Sequence, residues 1–145
     1  MAKLELAGSY LQRAWNKLEE ARNFLKKFNY AESVSAAQEC IEFSMKAVFL
    51  IFEEKFSKSH EVKEEEFIKI LKKIPKELEF YNFPRLYLLS KFWSNFYIVA
   101  KYGYENFEIG ADKLFKEDEA NLALKHADEC YLASNGLYQN KLINR

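Results

Sequence analysis

The residues in this sequence that could do chemistry are few, and the richest group lies next to a glycine. Lys101, Tyr102, Gly103 and Tyr104 join a cation to two aromatic rings at a point where the backbone can turn sharply. This combination could stack a nucleic-acid base and hold a phosphate. The alternative is a helix C-terminus, in which Lys101 meets the helix dipole, Gly103 ends the helix and both tyrosines pack against the protein.

Two histidines are candidates for acid–base chemistry. His60 lies between Ser59 and Glu61, in the predicted connection between the second and third helices. It could be a general base or a phosphate contact, although a lone loop histidine is more often a helix cap or a surface residue. His126 has no cation or nucleophile near it in sequence within the last predicted helix, and we expect its role to be structural.

A polar row interrupts the apolar pattern of the second predicted helix. Gln38, Glu42 and Lys46 stand at i, i+4 and i+8, which places all three on one helix face, with the glutamate before the lysine in the more favourable order. They form an intrahelical ion pair, or they line a cleft or a dimer interface. We expect Glu42 and Lys46 to form a structural polar seam rather than an acid–base pair.

Other catalytic and metal-binding signatures are absent from the sequence. It has no glycine-rich phosphate loop, no His-Glu-x-x-His pattern and no pair of spaced cysteine doublets, so we predict no cofactor and no metal site. Cys40 and Cys130 are each within a helical pattern. They are expected to be buried free thiols, and a disulfide between two helices is the alternative.

Composition places the chain among helical single domains. Of its 145 residues 49% are apolar and 30% are charged, and four glycines and two prolines are too few for an all-β fold. We therefore expect one domain over residues 1–145. The 22 basic and 22 acidic residues cancel, so an anionic ligand must be held by a local patch.

The longest apolar run predicts neither export nor a membrane span. Residues 86–100 include Ser90, Lys91, Ser94 and Asn95, and the run is shorter than the roughly 20 residues that cross a bilayer. The N-terminus does not resemble a secretory signal. These features favour a cytoplasmic protein with no membrane partner.

Two long antiparallel helices are predicted first. Apolar residues recur in steps of three and four on the first helix, at Leu4, Ala7, Leu11, Ala14, Leu18, Ala21, Leu25 and Phe28. Asn29 can cap the second helix, which continues until Phe56. Its apolar face is Val34, Ala37, Ile41, Ser44, Val48 and Ile51.

The second half of the chain predicts a short helix and two further long ones. The short helix ends before Pro75, and Pro84 opens a helix in which eleven of the residues 86–100 are apolar or aromatic. The acidic residues 117–119 suit the start of a last helix, which frays at Gly136 or the residues that follow it. The fold class is therefore all-α, an antiparallel up-and-down bundle of four long helices plus a short extra helix.

Aromatic residues on the fourth predicted helix favour a homodimer. Phe92, Trp93, Phe96 and Tyr97 cannot all face one partner on a single helix. A second copy of the chain would cover those that the bundle leaves exposed.

Several segments together resemble a known family. Phe28-Asn29-Tyr30, the run from Ala36-Ala37-Gln38 through Glu42 to Lys46-Ala47, and Ser59-His60-Glu61-Val62 are similar to the core of the HEPN domains, named for higher eukaryotes and prokaryotes nucleotide-binding. Tyr102-Gly103-Tyr104-Glu105 and the stretch from Gly110 to Ala120 resemble that family's entry into its last helix. The likeness extends from residue 28 to about 135.

The resemblance implies a dimeric helical bundle that binds nucleotide or RNA. Many members of that family are metal-independent RNases, often toxins neutralised by a minimal nucleotidyltransferase encoded alongside, and others bind without catalysis. The RNases carry an arginine followed after four to six residues by a histidine. Neither histidine here has that arginine, and Lys101 stands where the family usually has one. The expected function is therefore nucleotide or RNA binding by a homodimer without strong catalysis, with Lys101, Tyr102, Tyr104 and His60 as candidate ligand contacts. The alternatives are an RNase with a degenerate site and a purely structural dimerisation module.

Overall fold

The computed structural model describes residues 2–52, 54 and 62–145, and these residues form helices and no strand. The helices are α1 (Ala2–Lys26), α2 (Tyr30–Ile51), α3 (Glu64–Leu71), α4 (Phe83–Ser94), α5 (Tyr97–Tyr102), α6 (Ala111–Leu114) and α7 (Glu117–Ile143). Two short 3₁₀ turns cover Lys76–Tyr81 and Glu105–Phe107. None of the described helices has the length and apolar character needed to cross a membrane.

A tight connection makes α1 and α2 antiparallel. The backbone reverses at Phe28, whose φ of +66° is unusual for a residue with a side chain, and Asn29 N–H donates to the Phe24 carbonyl (2.9 Å). Phe28 is therefore exposed rather than part of the predicted seam, which ends at Leu25. Asn29 occupies the N-cap position of α2, but its side chain makes no capping hydrogen bond. Among the described residues α2 ends at Ile51, before the predicted Phe56.

Contacts between the long helices establish the up-and-down order. Residue numbers rise along α1 and α4 as the numbers of their partners on α7 fall, so both helices are antiparallel to α7. The pairs are Arg22–Asp128 and Gly8–Tyr138 for α1, and Arg85–Glu129 and Trp93–His126 for α4. The predicted all-α antiparallel bundle is confirmed.

Small residues bring α1, α2 and α7 close together. Ala7, Ala14 and Ala21 on α1 are fully buried, and each is one heptad from the next. Their short side chains let Ser33 of α2 reach across and donate a 2.8 Å hydrogen bond to the Ala21 carbonyl oxygen. These three long helices form the centre of the molecule, and α4 and α5 pack against α2.

The predicted fourth helix is divided in two. Ser94 Oγ donates to the Lys91 carbonyl oxygen (2.8 Å), and Asn95 Nδ2 donates to the same oxygen (3.2 Å). These side chains compete with the helical backbone bonds, and α4 ends at Ser94. Sequence periodicity missed this break because the apolar run continues through it. Beside this break Trp93 is buried and Phe92 is 43% exposed, and the chain restarts as α5 at Tyr97.

The last helix is longer than predicted. Its acidic first turn is confirmed, and Glu119 accepts a hydrogen bond from the Lys116 N–H (2.8 Å). The prediction that α7 frays at Gly136 is wrong, because the helix continues to Ile143. Gly136 lies where the Tyr81 ring packs against α7, and a Cβ there would collide with the ring.

Both cysteines are buried free thiols, as the sequence predicted. Cys40 Sγ lies 3.8 Å from the Ala127 carbonyl oxygen. Burial raises the pKa of the Cys40 thiol to about 12 and also raises the pKa of Cys130. Both side chains are therefore protonated and poorly nucleophilic at neutral pH.

Replacing Gly136 by alanine tests the close approach of Tyr81. Alanine favours an exposed helix position by about 1 kcal/mol over glycine, but here the Cβ must displace an aromatic ring. We expect Gly136→Ala to lower the free energy of unfolding by about 1–3 kcal/mol. Chemical denaturation of Gly136→Ala, of Tyr81→Ala and of the double variant measures the coupling energy between the two positions. In the Tyr81→Ala background the same change should stabilise, and destabilisation in both backgrounds would contradict the packing argument.

Candidate functional site

A sharp turn at Gly103 shapes the surface beyond α5. The Gly103 N–H donates to the Val99 carbonyl (2.9 Å) and its φ is +71°, a conformation that side chains disfavour. A Cβ at Gly103 would collide with the Ile109 carbonyl oxygen. The chain then pairs Tyr104 with Ile109 in a short antiparallel bridge. The predicted helix end at Gly103 is therefore present.

Aromatic side chains around this turn enclose a cavity of about 430 Å³, which we call the aromatic cavity. Tyr102, Tyr104 and Phe107 are 62%, 44% and 74% exposed, so each has surface that a ligand could contact. The Tyr104 and Phe107 rings lie 5.3 Å apart, centroid to centroid. The cavity is lined by Ile98, Val99, Tyr102, Gly103, Tyr104, Glu105, Asn106 and Phe107.

The cation next to these rings in sequence is turned toward the bundle. Lys101 Nζ donates to the Tyr97 hydroxyl oxygen (3.1 Å), lies 4.4 Å from the centre of the Tyr97 ring and is 3.4 Å from Glu39 Oε1. The hydrogen bond to Tyr97 and the nearby Glu39 carboxylate raise the pKa of Lys101, although partial burial opposes them. Lys101 is thus a fixed cation, and it is unsuited to act as a base.

Glu39 connects this cation to the first helix. Its Oε2 lies 3.2 Å from Lys17 Nζ, which is also 3.0 Å from Glu20. The alternating charges of Glu20, Lys17, Glu39 and Lys101 form a row across α1, α2 and α5, which we call the charge row. Sequence reasoning missed Glu39 because its partners are separated from it by 22 and 62 positions, and no local pattern joins them.

Gln38, Glu42 and Lys46, the residues of the predicted polar seam, all lie on α2. Glu42 Oε1 and Lys46 Nζ are 3.9 Å apart, and both side chains are mostly buried, at 14% and 25% exposure. The Lys46 ammonium also lies 5.7 Å from the centre of the Tyr10 ring. Gln38 is buried, and its Oε1 accepts no hydrogen bond from any described residue.

Of the two candidate histidines, His126 lies in the described part of the chain, and it contacts α4 rather than Lys101. His126 Nδ1 accepts a 3.0 Å hydrogen bond from Trp93 Nε1, between α7 and α4. Partial burial, with a smaller effect of Arg85, lowers the pKa of His126. Its expected structural role agrees with this contact. The other candidate, His60, lies outside the described residues.

This surface combines exposed aromatic rings with one neighbouring cation. Three exposed rings offer faces for stacking, and Lys101 adds a single cation at the edge of the same turn. Among the residues that the structure describes, no group of His, Cys, Asp and Glu side chains is arranged to hold a metal ion.

Comparison with known proteins identifies the fold. The family profile of the HEPN domain matches residues 7–136. The crystal structure of TT1696 from Thermus thermophilus superposes with a TM-score of 0.65 over 90% of this chain and 97% of that one, at 20% sequence identity. That likeness shows a shared fold. A search of curated proteins gave no match.

The hydrogen bond from Trp93 to His126 predicts a pH dependence of stability. Because the folded state lowers the pKa of His126, the unfolded chain binds its proton more tightly. The contribution of neutral His126 to the free energy of unfolding is fully present above the unfolded pKa of about 6.5. It is lost as the pH falls from that value through the lower pKa of the folded state. His126→Gln keeps a hydrogen-bond acceptor that does not titrate.

Urea denaturation between about pH 5 and pH 8 measures this effect in both proteins. We expect wild type to lose stability relative to His126→Gln as the solution is acidified. His60→Gln is the matched control, because it removes the other histidine. Its free energy of unfolding, relative to that of His126→Gln, should fall on acidification as that of wild type does. A constant difference between wild type and His126→Gln across this range would contradict the assignment.

Proposed function

The chain belongs to the HEPN domain family, and from this premise we propose that it binds single-stranded RNA or nucleotide at the aromatic cavity without appreciable catalysis. The observation that carries the proposal is the set of three exposed rings around Gly103. Exposed aromatic rings are unfavourable in water, and bases stack on them with little regard to sequence. The candidate contacts are Tyr102, Tyr104 and Lys101, with His60 as an untested fourth.

The cavity has dimensions that suit one or two bases rather than a duplex. About 430 Å³ is within the range of small-molecule pockets, and its walls are mainly aromatic and aliphatic. Glu105 adds a carboxylate on one side, which opposes the phosphates of a long track. The chain has no net charge, so affinity must come from stacking and from few phosphate contacts.

The protonation states and a missing motif support the proposed absence of appreciable catalysis. Cleavage of RNA by its own 2′-hydroxyl needs a base to take the proton and a group to stabilise the developing charge. Lys101 is held protonated by Tyr97 and Glu39, and His126 is engaged with Trp93. The arginine-to-histidine spacing that the resemblance associates with RNases is absent from this sequence.

Binding of a fluorescent single-stranded RNA in EDTA tests the proposed site. We expect Tyr102→Ala to weaken binding by about 5- to 150-fold, because loss of one stacked base costs about 1–3 kcal/mol. Lys101→Ala should weaken binding and lower the salt slope, which for wild type corresponds to about one or two phosphates. Phe80→Ala is the control, since Phe80 is an aromatic residue at least as exposed as Tyr102, at 74% against 62%, and it does not line the aromatic cavity.

The same reactions test turnover. We expect no metal-independent cleavage by wild type, and binding that is unchanged in Phe80→Ala. Binding that survives both Tyr102→Ala and Lys101→Ala would remove this surface as the site. Robust cleavage that disappears in His60→Ala or His126→Ala would establish the alternative, an RNase with a degenerate site.

We also propose that the protein is a homodimer, and the break after α4 changes which residues would form the interface. Trp93 is buried and Phe96 packs against Phe115, so these two rings are covered within one chain. Leu88 and Phe92 stand one turn apart on α4 and are 58% and 43% exposed. Pairing of two such faces would bury them and leave the aromatic cavity open.

Light scattering after gel filtration tests the dimer at micromolar concentration. Wild type should have twice the 17.2 kDa mass of one chain. Leu88→Glu should be monomeric, because it places a charge in the apolar interface. Leu132→Glu is the control on α7, at a residue that is 54% exposed. A monomeric wild type, or dissociation by both variants alike, would contradict the proposed interface.

Two further assignments rest on the family resemblance and on the seam. A minimal nucleotidyltransferase is the protein partner that the resemblance implies, as in a toxin–antitoxin pair.

Glu42 and Lys46 support the proposal of a structural seam, because their ion pair is mostly buried beside Tyr10. An unpaired carboxylate at that position would be costly, which favours retention of both charges.

A further inference from the structure

A cavity of about 490 Å³ lies between α1 and α7, on a part of the bundle that the proposed function does not use. We call it the polar cleft. Its polar α1 residues recur at positions 5, 9 and 12 and its α7 residues at positions 131, 135, 138 and 139, which is the spacing of one helix face. The lining residues are Glu5, Gly8, Ser9, Leu11, Gln12, Tyr131, Asn135, Tyr138 and Gln139.

Aromatic side chains shape the polar cleft. Tyr138 packs against Gly8, where a Cβ would collide with the tyrosine hydroxyl. Farther along α7, the Tyr131 ring lies 5.5 Å from the Trp15 ring of α1, centroid to centroid. Trp15 is 39% exposed, so this pair of rings has surface that a ligand could contact at the Tyr131 end of the cleft.

The carboxylate and amide groups of the polar cleft are mostly not engaged by the protein itself. Gln12 Nε2 donates to Asn16 Oδ1 (3.2 Å). Among the residues that the structure describes, the Glu5 carboxylate and the side-chain amides of Asn135 and Gln139 have no hydrogen-bonding or ionic partner. A carboxylate accepts hydrogen bonds, and a side-chain amide both donates and accepts them. The cleft can therefore serve both hydrogen-bonding roles toward a ligand.

The chemistry of the lining residues favours a neutral ligand with many hydroxyl groups. The described lining residues include no lysine or arginine to hold an anion, and Leu11 is their one aliphatic side chain. Glu5 is the one carboxylate, which is too little charge for a polyamine. A hydroxyl group can donate to the carboxylate and accept from an amide at the same time, and an aromatic ring can cover the C–H face of the ligand.

We propose that the polar cleft binds a neutral saccharide, with hydroxyl groups on Glu5, Asn135 and Gln139 and a sugar ring against Tyr131 and Trp15. The cavity volume is in the range of small-ligand sites. A sugar ring is rigid, so several hydrogen bonds form while few bonds of the ligand are immobilised. The polar cleft and the aromatic cavity have no lining residue in common. The inference therefore goes beyond the proposed function, and either one can fail alone.

Titration of ¹⁵N-labelled wild type with maltose, cellobiose and N,N′-diacetylchitobiose, followed by ¹H–¹⁵N NMR, tests the proposal. Spermidine is the cationic probe. We expect at least one disaccharide to bind with a Kd of about 1–10 mM and to shift the side-chain amide signals of Asn135 and Gln139. The indole N–H signal of Trp15 should shift with them. The indole signal of Trp93 is the internal control and should stay constant, because Trp93 is buried and donates to His126.

Variants of the lining residues test the individual contacts. Asn135→Ala should weaken binding of the same disaccharide by about 3- to 10-fold, through loss of its amide hydrogen bonds. Glu5→Gln should retain binding, because an amide oxygen still accepts from a hydroxyl group, whereas a cationic ligand would lose its counter-charge. Asn121→Ala is the matched control, since Asn121 is an exposed asparagine of α7 that does not line the cleft. Circular dichroism confirms that each variant is folded.

The outcomes are distinct. Disaccharide binding that shifts the Asn135 and Gln139 amide signals, and that Asn135→Ala weakens while Asn121→Ala does not, supports the proposal. The absence of any shift at about 50 mM of all three disaccharides would overturn it. So would tighter binding of spermidine than of every disaccharide, shifts confined to residues outside the cleft, or equal affinity in wild type and Asn135→Ala.

Discussion

The close approach of α1 to α2 and α7 is the constraint on which the other features of the molecule depend. Alanines one heptad apart on α1 remove the side chains that would hold the helices apart. At this distance Ser33 reaches a backbone carbonyl of α1, and Lys17 of α1 reaches Glu39 of α2. Glu39 is then held between Lys17 and Lys101, so the position of the candidate lysine follows from packing at the centre of the bundle.

Two interruptions of the helical backbone then create the surface that we associate with binding. The first, after Ser94, ends α4 next to the buried Trp93, and the chain restarts as α5 at Tyr97. The second, at Gly103, allows the backbone after α5 to pass against residues 109–111 without a side chain between them. Beyond this turn Tyr104 pairs with Ile109 in a short antiparallel bridge. The rings share one cavity because the chain reverses here.

The sequence predicts the long helices and their faces well, because each repeats its apolar residues over several turns. Ala7, Leu11 and Leu18 are buried as that periodicity requires. The breaks are harder to predict. At Ser94 and Asn95 a side-chain hydrogen bond competes with the backbone inside an apolar run, while Gly136 resembles a helix end and is a packing site for Tyr81. Of the candidate site, the Lys101 to Tyr104 turn was found from residue types alone. Glu39 was not, because it meets Lys17 and Lys101 only in the folded chain.

Net neutrality alone does not describe the electrostatics of the bundle, because opposite charges are paired across it. In the charge row each lysine lies beside a carboxylate, and at the C-terminal end of α2 Lys73 lies beside Glu54. Lys101 therefore contributes little long-range attraction, because Glu39 lies beside it and salt screens what remains. The binding that we propose for the aromatic cavity must therefore depend chiefly on contacts with its exposed rings.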